Sequence, residues 1–125
     1  MWRAALLLLM GAVLLAVLAP AAAFAAGSDS AVVTFRRPTL FHNVVLQGTY
    51  VIVHDDAAME VPGKHCTRIY HYENGQVGAL VTTFRCQPVS SETARQTNFS
   101  VVSGVNVNRV TGFQIAGDEE IHAVP

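Results

Sequence analysis

The chain has 125 residues, eight of them basic and nine acidic, and 51% of it is apolar. That length excludes a multidomain protein, the composition excludes a multi-span membrane protein, and a net charge of −1 argues against an electrostatic binder of nucleic acid. The apolar fraction is unevenly spread: between Met1 and Ala25 only Arg3, Gly11 and Pro20 fall outside the apolar set.

Met1-Trp2-Arg3 is a short positive start, Ala4 to Leu18 is an apolar run, and Pro20 breaks it before Ala21 to Ala25. This is the three-part layout of a secretory signal peptide, and Ala23-Phe24-Ala25 places cleavage after Ala25, with Ala26 as the alternative. An uncleaved anchor is the competing reading, but the run before Pro20 falls short of the roughly 20 residues that span a bilayer as a helix. The expected organisation is therefore a signal peptide over 1–25 and a single secreted or periplasmic domain over 26–125. Without Arg3 that domain carries seven basic and nine acidic residues, a charge of −2. No membrane segment is expected in it after signal removal.

In the mature part, Ala31 to Arg36 is rich in β-formers and predicts the first strand. Val44 to Leu46 follows Pro38, and Gln47-Gly48 marks a bend before a strand over Thr49 to His54. Asp55 to Lys64, with Pro62 and Gly63, reads as a loop. Cys66 to Tyr72 and Val77 to Phe84 predict a hairpin turned at Asn74-Gly75, the strongest short hairpin signal. Gln87 to Thr97 is polar and carries Pro88, with a helical turn expected over Ser91 to Gln96. Phe99 to Val102, Arg109 to Ile115 and Ile121 to Val124 supply further strands, broken at Gly104 and Gly117. Strands at roughly 8–14-residue spacing, without an amphipathic helix, predict an all-β fold. It is a small sandwich or a partly open barrel of about six to eight short strands.

Two cysteines, Cys66 and Cys86, lie in a chain bound for an oxidising compartment, so a disulfide is expected between them. Closing a ~20-residue loop would add roughly 3 kcal/mol. Hairpin arithmetic opposes the pairing. A two-residue turn at Asn74-Gly75 sets Cys66 opposite Thr83, leaving Cys86 three residues, or about 10 Å, out of register. A bulge or bend must close that gap. Free thiols and a metal site are the alternatives, but no C-x-x-C occurs and Cys86 has no histidine close in sequence.

The order Thr34-Phe35, Leu46-Gln47-Gly48-Thr49-Tyr50, Arg68-Ile69-Tyr70 and Asn74-Gly75-Gln76-Val77 resembles a group of small secreted bacterial β-proteins of acidobacterial type. The ending from Phe113 to Pro125 is similar to endings found there. The resemblance implies a secreted β-domain and carries no catalytic residue to this chain.

Five histidines, His42, His54, His65, His71 and His122, invite a metal reading. His65 and His71 share a strand face but stand ~20 Å apart, so they cannot hold one ion together. A site would have to draw on separate strands. Asp55, Asp56 and Glu60, and again Asp118, Glu119 and Glu120, form acidic loops without the EF-hand spacing, and are expected to be solvated. No G-x-S-x-G signature accompanies Ser100, Ser103 or any other nucleophile. Tyr70 and Tyr72 share a face with Arg68 and Cys66, opposite Ile69; core packing is the favoured reading, and a partner-binding stripe is the alternative. The sequence thus singles out no catalytic, cofactor-binding or metal-ligating residue. It predicts a non-enzymatic binding or structural module for a protein or glycan partner, with a small metal-dependent or hydrolytic enzyme as the alternative.

Overall fold

The computed structural model describes residues 28–125. The expected signal peptide and its expected cleavage after Ala25 lie outside the described residues.

The strands are longer and more continuous than the sequence suggests. β1 (Ser28–Phe41) and β2 (Val44–Asp55) form one antiparallel hairpin, running through Pro38 and through Gln47-Gly48. The register shifts between Phe35 and Thr39, where Pro38 lacks an N–H to donate to the ladder. The turn is His42-Asn43, with His42 at φ 56°, a sharp reversal that no Gly or Pro announces. A single helical turn, α1 (Asp56–Met59), occupies the expected loop, capped by the Asp55 carboxylate accepting from Ala57 N–H at 3.0 Å.

β3 (Thr67–Glu73) and β4 (Gln76–Phe84) form the predicted hairpin, and Asn74 and Gly75 both have positive φ. Near the turn Glu73 pairs with Gln76 and Tyr72 with Val77, the register expected from the sequence. Two irregularities then advance β4, so that Tyr70 faces Leu80, Ile69 faces Thr82 and Thr67 faces Phe84. That slippage brings Cys86 back towards Cys66. Cys66 lies just before β3, with its N–H donating to the Phe84 carbonyl at 3.2 Å, and so escapes the strand alternation that would group it with the tyrosines.

β5 (Gln87–Ser90), β6 (Asn98–Val102), β7 (Asn108–Gln114) and β8 (Glu120–Ala123) complete the chain. The helical turn expected over Ser91 to Gln96 does not form. Pro88 sits in end strand β5, where its missing N–H costs no ladder bond, and the segment after it is tied down by Ala94 N–H donating to the Asp118 carbonyl at 2.9 Å.

All eight strands belong to one sheet in the order β4-β3-β2-β1-β7-β8-β5, with β6 on the other edge of β7. The sandwich is thereby set aside: the sheet curls into a half-barrel. The β1–β7 pairing is parallel over Thr39–Phe41 and Asn108–Val110, and the other pairings are antiparallel. The two end strands, β4 and β5, are consecutive in sequence and separated only by Arg85 and Cys86. Curling is thus obligatory, because a two-residue link must reach from one end of the strand order to the other.

Inside the curl, Phe41 is fully buried and packs on Phe84 and Phe113, each at a ring separation of 5.9 Å, and edge-on to Phe35 and Phe99 at 6.2 Å. Leu46, Tyr50, Ile52, Ile69 and Val110 fill the space around this cluster. The favoured placement of the β3 tyrosines is corrected here: Ile69 is the buried residue, and Tyr70 and Tyr72 lie half-exposed on the other face. Alternation allows only one set inside, and Ile52 across the ladder selects Ile69.

Candidate metal centre

At the end of the half-barrel where β4 passes into β5, the sheet buries polar side chains. His54 is the last residue but one of β2, paired across the ladders with Asp29 on β1 and Thr67 on β3. Its position follows from period two: Tyr50, Ile52 and His54 share the inward face. His122 lies in β8 opposite Phe113 and Pro88. Both imidazoles are fully buried, and their rings stack at 3.8 Å with an interplanar angle of 31°. Phe113 covers the pair, 5.1 Å from His122.

Cys86, in the link between the end strands, puts its sulfur 3.7 Å from His54 Nδ1 and 3.5 Å from His122 Nδ1. The three ligand atoms all lie within 4.8 Å of one another. A zinc-like ion with metal–sulfur and metal–nitrogen bonds of about 2.3 and 2.0–2.1 Å in a tetrahedral field requires sulfur–nitrogen edges of about 3.5 Å. The observed edges have that length.

Each imidazole has a carboxylate on its far nitrogen. His122 Nε2 is 2.5 Å from Asp118 Oδ2. A carboxylate only accepts, so Nε2 carries a proton, and in the neutral ring Nδ1 turns its lone pair towards Cys86. Asp118 is itself held: its other oxygen accepts from Glu120 N–H at 3.1 Å, and its carbonyl accepts from Gln114 Nε2 at 2.9 Å. His54 Nε2 is 3.0 Å from Asp56 Oδ1, within ion-pair reach but out of line for a hydrogen bond, so this buried nitrogen lacks a hydrogen-bond partner. Asp56 is presented by α1. Arg85 fastens the loop after it, donating to the carbonyls of Met59, Val61 and Lys64, each at 2.9 Å. An imidazole ligand backed by a carboxylate, as His122 is by Asp118, is a usual feature of a metal site.

The electrostatics suit neutral ligands. Burial lowers the pKa of His54, and the neighbouring His122 lowers it further, against the opposing pull of Asp56 and Asp118. Burial, then the hydrogen bond to Cys66, push the Cys86 thiol up to about 12, so without a cation it keeps its proton. Asp29, at the same end, has its carboxyl raised by burial and by the charges of Asp56 and Asp118. A cation entering here would displace the Cys86 proton and meet the Nδ1 atoms of His122 and His54, the latter also 3.4 Å from Thr67 Oγ1.

Cys66 lies against the Cys86 sulfur without joining the ligand set. The two Sγ atoms lie 3.0 Å apart, side by side as the sequence anticipates, but not at the ~2.05 Å of a disulfide bond. Cys86 N–H donates to Cys66 Sγ at 3.3 Å. Cys66 falls outside the three-ligand set. A second grouping, Asp118, Glu120 and His122, shares His122 and uses its outward side.

Of the five histidines, the structure unites His54 and His122, while His65 and His71 are exposed and apart from the centre. The expectation that both acidic loops are solvated is half corrected. The Asp56 side chain is 63% exposed, whereas that of Asp118 is 13% exposed and clamped to His122. Cys86 has no histidine near it in sequence and two against it in space. Among the described residues, no helix is long and apolar enough to cross a membrane. Comparison with protein-family models, with curated proteins and with solved structures gave no match.

Proposed function

We propose that this protein is an exported metal-binding β-domain whose centre is His54, His122 and Cys86. The observation that carries the reading is the convergence of two imidazole Nδ1 atoms and one sulfur from three separate parts of the sheet, at edges of 3.5 and 3.7 Å. A thiolate with two imidazoles suits a soft or borderline ion, Zn²⁺ or Cu⁺, over calcium or magnesium, which take oxygen. The ligands are buried to 2% exposure or less, which leaves no open side for a substrate and favours binding over catalysis. Export to the periplasm or the medium rests on the composition of residues 1–25. In the oxidised, metal-free protein Cys66 and Cys86 form the one disulfide that two cysteines permit.

The test is titration of the reduced, chelator-stripped protein with Zn²⁺ and, anaerobically, with Cu⁺, reading stoichiometry by native mass spectrometry. One ion per chain is expected, with His54→Ala, His122→Ala and Cys86→Ser each weakening binding at least a hundredfold. His65→Ala and His71→Ala should leave it unchanged. Stoichiometric binding that survives all three ligand substitutions would sink the proposal.

A further inference from the structure

Cys86 has two neighbours that compete for the same sulfur. On one side stand the two Nδ1 atoms; on the other stands Cys66, whose Sγ is 3.0 Å away and fully buried. Two thiolates on one zinc ion lie about 3.8 Å apart, given bonds of about 2.3 Å in a tetrahedral field. At 3.0 Å Cys66 is too close to Cys86 to be a second zinc ligand as it stands, and it lies outside the ligand set. Its proximity fits another task. We infer that Cys66 is the resolving thiol of a redox-gated metal centre: oxidation joins it to Cys86 and expels the ion.

This inference rests on the metal reading above. The oxidant is a peroxide. The metal-bound Cys86 sulfur attacks one peroxide oxygen, the O–O bond breaks, and the metal–sulfur bond gives way to a sulfenic acid. Cys66 then attacks that sulfur, the S–O bond breaks, and water leaves. Overall the two sulfurs lose two electrons and form one S–S bond. The peroxide takes those electrons, the Cys66 proton and one proton from solvent, and becomes two waters; the divalent ion departs. Burial of both sulfurs, at 0% and 2% exposure, keeps a protein thiol away from them, and the adjacent Cys66 traps the sulfenic acid before further oxidation. A dithiol reductant reverses the bond and restores the site.

The experiment loads the reduced protein with Zn²⁺, adds hydrogen peroxide, and follows zinc release with a chelating dye and the disulfide by peptide mass. One zinc should leave for each Cys66–Cys86 disulfide formed, and the oxidised protein should bind zinc at least a hundredfold more weakly until dithiothreitol restores it. Cys66→Ser, with Cys66→Ala as a second variant, should hold zinc within threefold of the parent, but under excess peroxide a second equivalent should carry its Cys86 sulfenic acid on to the irreversible sulfinic acid, so that dithiothreitol does not restore binding. If the disulfide-bonded protein binds zinc as tightly as the reduced one, the gate is wrong and the metal centre stands. If removing Cys66 costs zinc binding more than tenfold, Cys66 is a ligand, and the gate is again overturned. If the reduced parent binds no zinc, the metal reading fails and this inference with it. The arms on the parent protein need no variant to fold.

Discussion

Asp118→Asn removes one charge and keeps the shape, which isolates what the carboxylate does for His122. In the parent, both oxygens of Asp118 accept: one from His122 Nε2 at 2.5 Å, the other from Glu120 N–H at 3.1 Å. An asparagine has only one acceptor to offer these two donors. If its oxygen stays on Glu120, its amide faces Nε2, the imidazole proton moves to Nδ1, and the lone pair aimed at Cys86 is lost. If its oxygen turns to His122, the amide meets Glu120 N–H and the turn before β8 loses a bond worth about 0.5–1.5 kcal/mol. Loss of such a carboxylate costs about 10–100-fold in metal affinity, equivalent to roughly 1.4–2.8 kcal/mol. Asp56→Asn is the internal control, because that side chain is 63% exposed and out of line with His54, so its loss should stay below tenfold. Both are read by competing zinc away with a chromophoric chelator at fixed pH. Parent-like affinity in Asp118→Asn, or a larger loss in Asp56→Asn, would refute the claim that Asp118 fixes the tautomer and the aim of His122.

Three further outcomes follow from packing and charge. With its pKa raised to about 12, Cys86 in the reduced, metal-free protein should alkylate at pH 8 about a thousandfold more slowly than an ordinary cysteine, as timed iodoacetamide quenching and mass analysis would show; a rate within tenfold of ordinary contradicts the environment described. His54 has a lowered folded pKa, so below its unfolded value of about 6.5 the unfolded chain binds the proton that the buried ring refuses, and stability falls as pH falls. Urea midpoints of the metal-free protein should therefore drop from pH 7.5 to pH 5.5, with a slope from this group of at most about 1.4 kcal/mol per pH unit that vanishes in His54→Gln; an unchanged slope in that variant assigns the effect elsewhere. Phe41→Ala opens the centre of the aromatic cluster and should cost about 3–5 kcal/mol in urea unfolding, and a loss under 1 kcal/mol would mean that the curl does not depend on this cluster.

Much of the fold was legible because its signals are local. Asn74-Gly75 dictates a tight hairpin, and β-branched runs without helical periodicity dictate a sheet. What failed was decided by partners far along the chain. The hairpin arithmetic separated Cys66 from Cys86 because irregular pairing around Tyr70 has no sequence mark, and two slipped residues suffice to bring the sulfurs together. Tyr70 and Tyr72 look like core residues until Ile52 claims Ile69 across the ladder. The candidate metal centre was hidden for the same reason. His54 and His122 stand 32 and 36 residues from Cys86, on β2 and β8, which three ladders separate in the strand order. Two cues were present nonetheless. His54 continues the inward set of Tyr50 and Ile52, and each of the two histidines has an aspartate within reach, Asp56 two residues after one and Asp118 four residues before the other.

The position of Cys86 links the centre to the architecture. Strands β4 and β5 end the strand order and, among the described residues, no ladder joins them. What closes the half-barrel there is the two-residue covalent link and the packing of its side chains. Arg85 faces outward and pins the loop of α1; Cys86 faces inward and meets β2 through His54 and β8 through His122. An ion held by these three residues would therefore join β2, β8 and the β4–β5 link across a seam that backbone hydrogen bonds leave open. Free zinc at a thousand times its dissociation constant adds about 4 kcal/mol to a folded state that binds it, provided the unfolded chain does not. A disulfide to Cys66 ties the same link to the start of β3 instead. The two proposed states of Cys86 would thus brace the same end of the barrel along different lines, keeping the domain closed with or without the ion.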